Sequence, residues 1–256
     1  MIANRAFGLT AVALAVATAL LGCGSASTGA DHSAAPNSSI IGQVAPESIG
    51  EPPTELLQAA GISPAAARAA VSEARTFTWN LVRVGDVTMA AACAGSGSPT
   101  IVYSNGLIIQ AAWTWPVIAT RQAKTNRVCM FDRPGTGLSP TRPDSAAPNG
   151  PVANAHELLA LMQALNETGP FVIVGWSYGG LVARTAAAVS PDSVAGLDLV
   201  DAVTPAQYRT FDTSGWTEAN QDLDMAAAER ATGVGGPNLG SKPVVVLQAG
   251  LDSELG

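Results

Sequence analysis

Short apolar runs alternate with polar, glycine-rich or helical segments from residue 76 onward. The runs at 171–174 and 244–247 are apolar throughout, which is typical of central strands buried on both faces of a sheet. Gly85 and Asp86 form a two-residue turn that predicts a hairpin between the first two strands. The predicted strands are Thr76–Val84, Val87–Ala92, Thr100–Tyr103, Arg127–Phe131, Phe171–Val174, Gly196–Val200 and Pro243–Gln248.

Helical periodicity fills several of the intervals between these strands. Over Val152–Leu165, apolar side chains recur at i, i+3, i+4 and i+7, which predicts a helix with one apolar face. This face consists of Leu158, Leu161, Met162 and Leu165. Residues 53–75 are also predicted to be helical. Two opening strands followed by strand–helix alternation predict an α/β domain with a mostly parallel sheet.

The first 50 residues have a different pattern. An apolar run, Ala6–Leu21, follows Arg5, which is typical of an export signal. The run is shorter than the roughly 20 residues that a stable transmembrane helix needs. The next stretch is rich in Ser, Ala, Gly, Pro and Asn, which predicts a flexible tether. The predicted organisation is therefore a signal peptide at 1–22, a tether at 23–50 and a folded domain at 51–256.

The end of the apolar run, Leu20–Cys23, resembles a bacterial lipobox. That resemblance implies that Cys23 is lipidated and becomes the mature N-terminus. Several acyl chains would then anchor the exported protein stably at the outer face of the bacterial membrane. The alternative is a plain secretory signal with an incidental cysteine, in which case the protein is secreted.

Composition and charge narrow the range of functions. The chain is 47% hydrophobic and 13% charged, which argues against a disordered protein. The formal net charge is −7, so the sequence predicts no nucleic-acid partner. It contains neither a glycine-rich phosphate loop nor a recognisable cluster of metal ligands, so we expect no cofactor and no metal.

One motif carries candidate chemistry. The segment Gly175–Gly180 reads G-W-S-Y-G-G, follows the predicted strand Phe171–Val174 directly and opens a helix rich in small residues. This strand–turn–helix context is the one that a nucleophile elbow requires. Such a turn lifts Ser177 to the C-terminal edge of the sheet and directs the helix N-terminus at an oxyanion formed there.

At these residues the sequence resembles the α/β-hydrolase family, over about residues 80–252. Ser104–Leu107 stands where the family usually has His-Gly-x, although Asn105 replaces the histidine. Phe131–Ser139 is similar to the family's D-x-x-G-x-G-x-S loop, which is structural there. Val245–Asp252 is similar to the strand and turn that deliver the acid of the catalytic triad. The implied fold is a three-layer α/β-hydrolase fold, with residues 204–241 in the place of a short cap.

The resemblance also implies roles for particular residues. Ser177 would attack the carbonyl of an ester or similar small acyl substrate, and the N–H groups of Leu107 and Tyr178 would form the oxyanion hole. Asp252 would orient a catalytic histidine. Asp201, which ends the preceding strand, is the alternative acid, although a purely structural role suits that position better.

The resemblance also implies how two of the cysteines lie in the fold. In the family's usual strand order the second and fourth strands are neighbours, and Cys93 and Cys129 fall on or beside those strands. A disulfide between them is therefore reasonable in an exported protein. Two buried free thiols are the alternative.

The position of the catalytic histidine leaves two hypotheses. In the family it lies beyond the acid, whereas no histidine follows His156 here, and the last strand and helix of the fold have no counterpart. A solvated role is the commoner one for a histidine near the start of a surface helix such as His156. The chain is thus expected to be either a serine hydrolase whose histidine belongs to a longer form, or an inactive or truncated surface lipoprotein that retains the fold.

Overall fold

Ten strands and seven helices lie within the part of the chain that the computed structural model describes, which comprises residues 38–59, 63–146, 148–204, 207, 217–218, 221–233 and 237–248. The strands are β1 (Ser39–Gln43), β2 (Trp79–Val84), β3 (Val87–Ala94), β4 (Ile101–Ser104), β5 (Val128–Phe131), β6 (Phe171–Trp176), β7 (Val194–Val200), β8 (Thr217–Glu218), β9 (Gln221–Asp222) and β10 (Val244–Leu247). The helices are α1 (Thr54–Ala59), α2 (Pro64–Ala74), α3 (Ala111–Thr114), α4 (Pro116–Gln122), α5 (Pro151–Ala164), α6 (Tyr178–Val189) and α7 (Met225–Thr232).

Eight of the strands form one sheet in the order β1-β2-β3-β5-β4-β6-β7-β10. Strands β5, β4, β6, β7 and β10 are parallel, while β1, β2 and β3 form an antiparallel extension that joins at β5. The mostly parallel α/β sheet predicted from the sequence is confirmed. Because the carboxyl ends of parallel strands meet at one edge, the loops after β4, β5, β6 and β7 converge there.

Helices cover both faces of the sheet and give the three layers. One core lies between the sheet and α5, α6 and α7, with the fully buried Leu158, Leu161 and Met162 contributed by α5. The other lies between the sheet and α2, α3 and α4. Three residues of the predicted apolar stripe are therefore buried on α5, whereas the fourth, Leu165, follows the last residue of the helix and is partly buried. His156 on the same helix is exposed.

The predicted tether extends too far along the chain. Residues 39–43, which the sequence analysis assigns to it, form β1 and pair antiparallel with β2. Ile49, at the end of the same stretch, is fully buried. Backbone pairing holds β1 at the sheet edge while Ile40 and Ile41 stay about half exposed, so no apolar periodicity marks this strand.

A disulfide joins Cys93 to Cys129 across two paired strands. The two residues are direct partners in the antiparallel register of β3 with β5. Residues that face each other in this way have side chains close enough for a covalent bridge. The bridge connects the antiparallel extension to the parallel part of the sheet.

Strand β10 lies at the end of the sheet farthest from β1. Among the described residues it pairs with β7 alone, and Val244, Val245 and Val246 are between 42% and 62% exposed. Within the described ranges, no helix is long and apolar enough to span a bilayer. Cys23 and Asp252, together with most of the segment between 204 and 217, lie outside the described residues.

Candidate active site

Ser177 occupies the turn between β6 and α6, at the carboxyl edge of the parallel strands. Its φ is 52° and its ψ is −122°, an uncommon conformation for a residue with a side chain. Hydrogen bonds from both sides fix this strained backbone: its N–H donates to the carbonyl of Val200 (3.1 Å), and its own carbonyl accepts from Gly180 and Val203 (both 3.0 Å). Strain that neighbours hold in this way is typical of functional turns.

The turn requires glycine where the chain folds back on itself. A Cβ on Gly175 would lie 2.5 Å from the Cα of Gly180, and one on Gly179 would lie 2.6 Å from the carbonyl oxygen of Asn105. Neither backbone contact could be relieved by a side-chain rotation. The glycines therefore let α6 start directly against the end of β6 and against the loop after β4.

That loop, residues 105–110, lies against Ser177. A Cβ on Gly106 would be 3.4 Å from the Cβ of Ser177 and 3.1 Å from the Trp176 ring, which shows how closely the loop approaches the turn. Asn105 is buried, donates from Nδ2 to the carbonyl of Phe131 (3.3 Å) and accepts from the indole N–H of Trp115. The residue in place of the usual histidine thus anchors the loop to the end of β5.

Arg133 is the main polar link between the loops after β4 and β5. Its Nη1 donates to the carbonyl of Asn105 (2.8 Å) and its Nη2 to the carbonyl of Gly106 (2.7 Å). Nε and Nη2 also donate to the two carboxylate oxygens of Glu218 in β8, at 2.8 and 2.5 Å. Arg133 is 1% exposed and Glu218 is fully buried. Burial alone would lower the pKa of Arg133, but the adjacent Glu218 carboxylate outweighs it and raises that pKa.

The contacts of Arg133 determine the direction of one backbone N–H. In a planar trans peptide the N–H points opposite to the carbonyl of the same unit. Since the carbonyl of Gly106 points at Arg133, the N–H of Leu107 points away from it. Within the described ranges this N–H has no hydrogen-bond acceptor. The guanidinium also lies over the ring of Tyr178, with Cζ 5.0 Å from the ring centre.

Asp132 ties the same two loops together from the other side. Its carboxylate accepts hydrogen bonds from the backbone N–H groups of Ala111 (2.6 Å) and Leu138 (2.9 Å). Burial raises the pKa of Asp132 to about 6, although those two N–H groups and the Arg133 charge act in the opposite direction. This network explains the D-R pair of the loop after β5 as a structural feature.

The remaining candidate residues lie apart from this network. Asp201 follows β7 with φ 44°, is exposed and donates its N–H to the carbonyl of Leu247 (2.6 Å). His156 is exposed on α5, and Asp252 lies outside the described residues. The pairing of Arg133 with Glu218 could not be predicted from the sequence, because the two lie 85 residues apart and no local motif links them.

A family model described as the alpha/beta hydrolase fold matches residues 109–239, just over half of the chain. The chain belongs to the α/β-hydrolase fold family. The resemblance deduced from the sequence is thereby confirmed, and the arrangement of β6, Ser177 and α6 is the strand–turn–helix unit on which it rests.

Proteins from several organisms are similar to parts of this chain. An uncharacterized vacuolar membrane protein of Saccharomyces cerevisiae, found in strains YJM789 and S288c, is 37% identical over 89 residues, which are 34% of this chain and 13% of the yeast protein. A protein assigned as a lipase from Acinetobacter baumannii AYE is 26% identical, with a TM-score of 0.48 over 56% of this chain and 48% of its own.

A second solved structure is that of a protein assigned as an acyltransferase from Salmonella enterica. It is 29% identical, with a TM-score of 0.48 over 54% of this chain and 46% of its own. The chain therefore spans about half the length, or less, of the relatives that it matches.

The raised pKa of Asp132 leads to a prediction about stability. The folded state holds the proton up to about pH 6, whereas the unfolded chain releases it near its ordinary value of 3.8. This group therefore stabilises the fold below about pH 4, and that stabilisation is lost as the pH rises through 6. We expect its contribution to the free energy of unfolding to fall by about 3 kcal/mol over that interval.

The measurement is denaturant unfolding of the wild type and of Asp132→Asn at a series of pH values between 4 and about 7. The difference between the two curves isolates Asp132, because all other groups titrate in both proteins. Parallel curves over this interval would show that the pKa of Asp132 is not raised.

Proposed function

We propose that the protein is a serine hydrolase that acts on an ester or similar acyl substrate, with Ser177 as the nucleophile. The observation that carries this proposal is the strained turn that holds Ser177 between β6 and α6, beside the loop at Gly106. The membership of the α/β-hydrolase family supports it. A serine that needed only to connect a strand to a helix would not require a positive φ or two glycines without space for a Cβ.

In the proposed reaction, Ser177 Oγ attacks the substrate carbonyl carbon while a base takes its proton. The oxygen that becomes negative accepts hydrogen bonds from the N–H groups of Leu107 and of Tyr178, the first residue of α6. The tetrahedral intermediate expels the leaving-group oxygen, which takes up the proton. Water then attacks the acyl-serine ester and restores Ser177.

The base and its orienting acid belong to the same proposal. We assign the acid role to Asp252, which would hold a histidine in the tautomer that accepts the serine proton. The histidines of the sequence are His32 and His156. His156 is exposed on α5. The assay therefore includes an external base, so that hydrolysis does not depend on either histidine.

The proposal is tested with a fluorophosphonate probe and a short-chain p-nitrophenyl ester, each with and without added imidazole as an external base. We expect the probe to label the wild type at Ser177, as located by mass spectrometry of the peptide, and the ester to be hydrolysed. Ser177→Ala should lose the labelling and all turnover above the rate of the ester in buffer without protein, because no acyl-enzyme can form.

Ser193→Ala is the matched control. Ser193 shares a hydrogen bond with Ser190 (2.7 Å) between the end of α6 and the start of β7. It therefore lies at the amino ends of the parallel strands, whereas Ser177 lies at their carboxyl ends. Its labelling and turnover should equal those of the wild type. Absence of Ser177-dependent labelling in the wild type, both with and without imidazole, would refute the hydrolase and favour a non-catalytic surface protein.

We further propose that the protein is exported and anchored to the outer face of a bacterial membrane through acylated Cys23. The Cys93–Cys129 disulfide supports an oxidising compartment, in which such bonds persist. In this organisation residues 1–22 are the signal and the tether ends before β1. The folded domain then begins at about residue 39 and includes the segment 204–241 as a short cap.

Expression of the full chain in a bacterium with lipoprotein processing tests the anchor. With an alkyne-tagged fatty acid in the medium, the wild type should become labelled and sediment with the membranes, because dual or triple acylation gives stable anchoring. Cys23→Ala should be unlabelled and leave the membrane fraction. A wild-type protein that is unlabelled and secreted would contradict the anchor and support the plain signal peptide.

A further inference from the structure

We infer that Arg133 is a positioning residue for the oxyanion hole and that Glu218 in β8 holds Arg133 in the required orientation. The inference rests on the proposed function, because it assigns the N–H of Leu107 to the hole. Its basis is that Arg133 contacts Gly106, which shares a peptide with one proposed donor residue, Leu107, and also contacts the other, Tyr178. It holds the peptide that carries the Leu107 N–H, and it lies over the ring of Tyr178.

The peptide between Gly106 and Leu107 needs an external contact to fix its orientation. A glycine imposes little restriction on the rotation of its peptide. If that peptide turned over, the carbonyl of Gly106 would take the place of the Leu107 N–H and would repel a developing negative charge. The hydrogen bond from Arg133 to this carbonyl (2.7 Å) selects the orientation in which the N–H faces away from the guanidinium.

Arg133 also holds the neighbouring peptide, between Asn105 and Gly106. Nη1 of Arg133 holds the carbonyl of Asn105 at 2.8 Å, so two successive carbonyls point at one planar group. Because the guanidinium nitrogens have a fixed geometry, the two peptide orientations are not independent. A lysine in this position would keep the charge but would lack the fork that holds both carbonyls together with the carboxylate.

The orientation of the guanidinium is itself fixed by a carboxylate. Glu218 accepts from Nε and Nη2, a bidentate arrangement that fixes the plane of Arg133. It also neutralises a charge that would be very costly at 1% exposure. Glu218 belongs to β8, and its own carbonyl accepts from the side chain of Asn149 (3.4 Å). Glu218 therefore holds the guanidinium in the plane from which it contacts the loop after β4.

The test compares Arg133→Lys and Glu218→Gln with Arg142→Lys as the matched control. Arg142 is also buried and paired with a glutamate, Glu157 (2.6 Å), but that pair links the loop after β5 to α5. All proteins are assayed with the p-nitrophenyl ester, and kcat is calculated per active site titrated with the fluorophosphonate. This normalisation removes the effect of molecules that are simply unfolded.

We expect kcat per active site to fall about 10- to 100-fold in Arg133→Lys and in Glu218→Gln, with KM changed less than about threefold. The reason is that a donor aimed only at the oxyanion contributes in the transition state and little in the substrate complex. Arg142→Lys should keep the wild-type kcat even if it unfolds more easily. Wild-type kcat in both test variants, or an equal loss in Arg142→Lys, would overturn the inference.

A second measurement does not depend on activity and separates this inference from the proposed function. The amide resonances of Gly106 and Leu107 are recorded by NMR in the same four proteins. We expect them to shift or broaden in Arg133→Lys and Glu218→Gln and to stay unchanged in Arg142→Lys. Unchanged resonances in both test variants would overturn the positioning role, whereas a wild type without Ser177-dependent chemistry would refute the hydrolase alone.

Discussion

Arg133 carries a full positive charge into a position that is 1% exposed, which would be strongly unfavourable if its donors lacked acceptors. In the fold, the donors of Arg133 form hydrogen bonds with the Glu218 carboxylate and with the carbonyls of Asn105 and Gly106. Each of these partners comes from a different part of the chain than Arg133 does. The loop after β4, the loop after β5 and strand β8 are consequently fixed relative to one another by one planar group.

This constraint complements the one at Ser177. The turn between β6 and α6 holds the serine in a strained conformation, and the hydrogen bonds to Val200, Gly180 and Val203 keep it there. The turn places the serine side chain at the carboxyl edge of the sheet. The hydrogen bonds from Arg133 fix the orientation of the loop after β4, which lies beside that serine. In the proposed reaction, the nucleophile and one oxyanion donor would both be fixed before substrate binds and would need little reorganisation.

Much of the fold could be predicted from local patterns. The two-residue turn at Gly85 marks the hairpin, the stripe on α5 has helical spacing, and the run at Phe171 is apolar throughout, so the sequence displays all three directly. Strand β1 could not be predicted, because backbone pairing with β2 holds it and its isoleucines remain exposed. Edge strands of this kind leave little hydrophobic signal.

The candidate site likewise has parts that the sequence could predict and parts that it could not. Ser177 could be predicted because its glycines and the preceding strand lie within a few residues of it. The pair of Arg133 with Glu218 could not, because it joins residues 85 apart and depends on how the sheet brings their loops together. The same is true of Asn105, whose buried bonds to the end of β5 and to Trp115 show how the loop is held without a histidine.

A crystal structure of the protein after reaction with a phosphonate ester would show whether Ser177 and the two amides act together, because the bound phosphonyl group resembles the tetrahedral intermediate. We expect phosphorus bonded to Ser177 Oγ and a phosphonyl oxygen about 2.7–3.2 Å from the amide nitrogens of both Leu107 and Tyr178. An adduct on another residue, or a phosphonyl oxygen turned away from both amides, would contradict it.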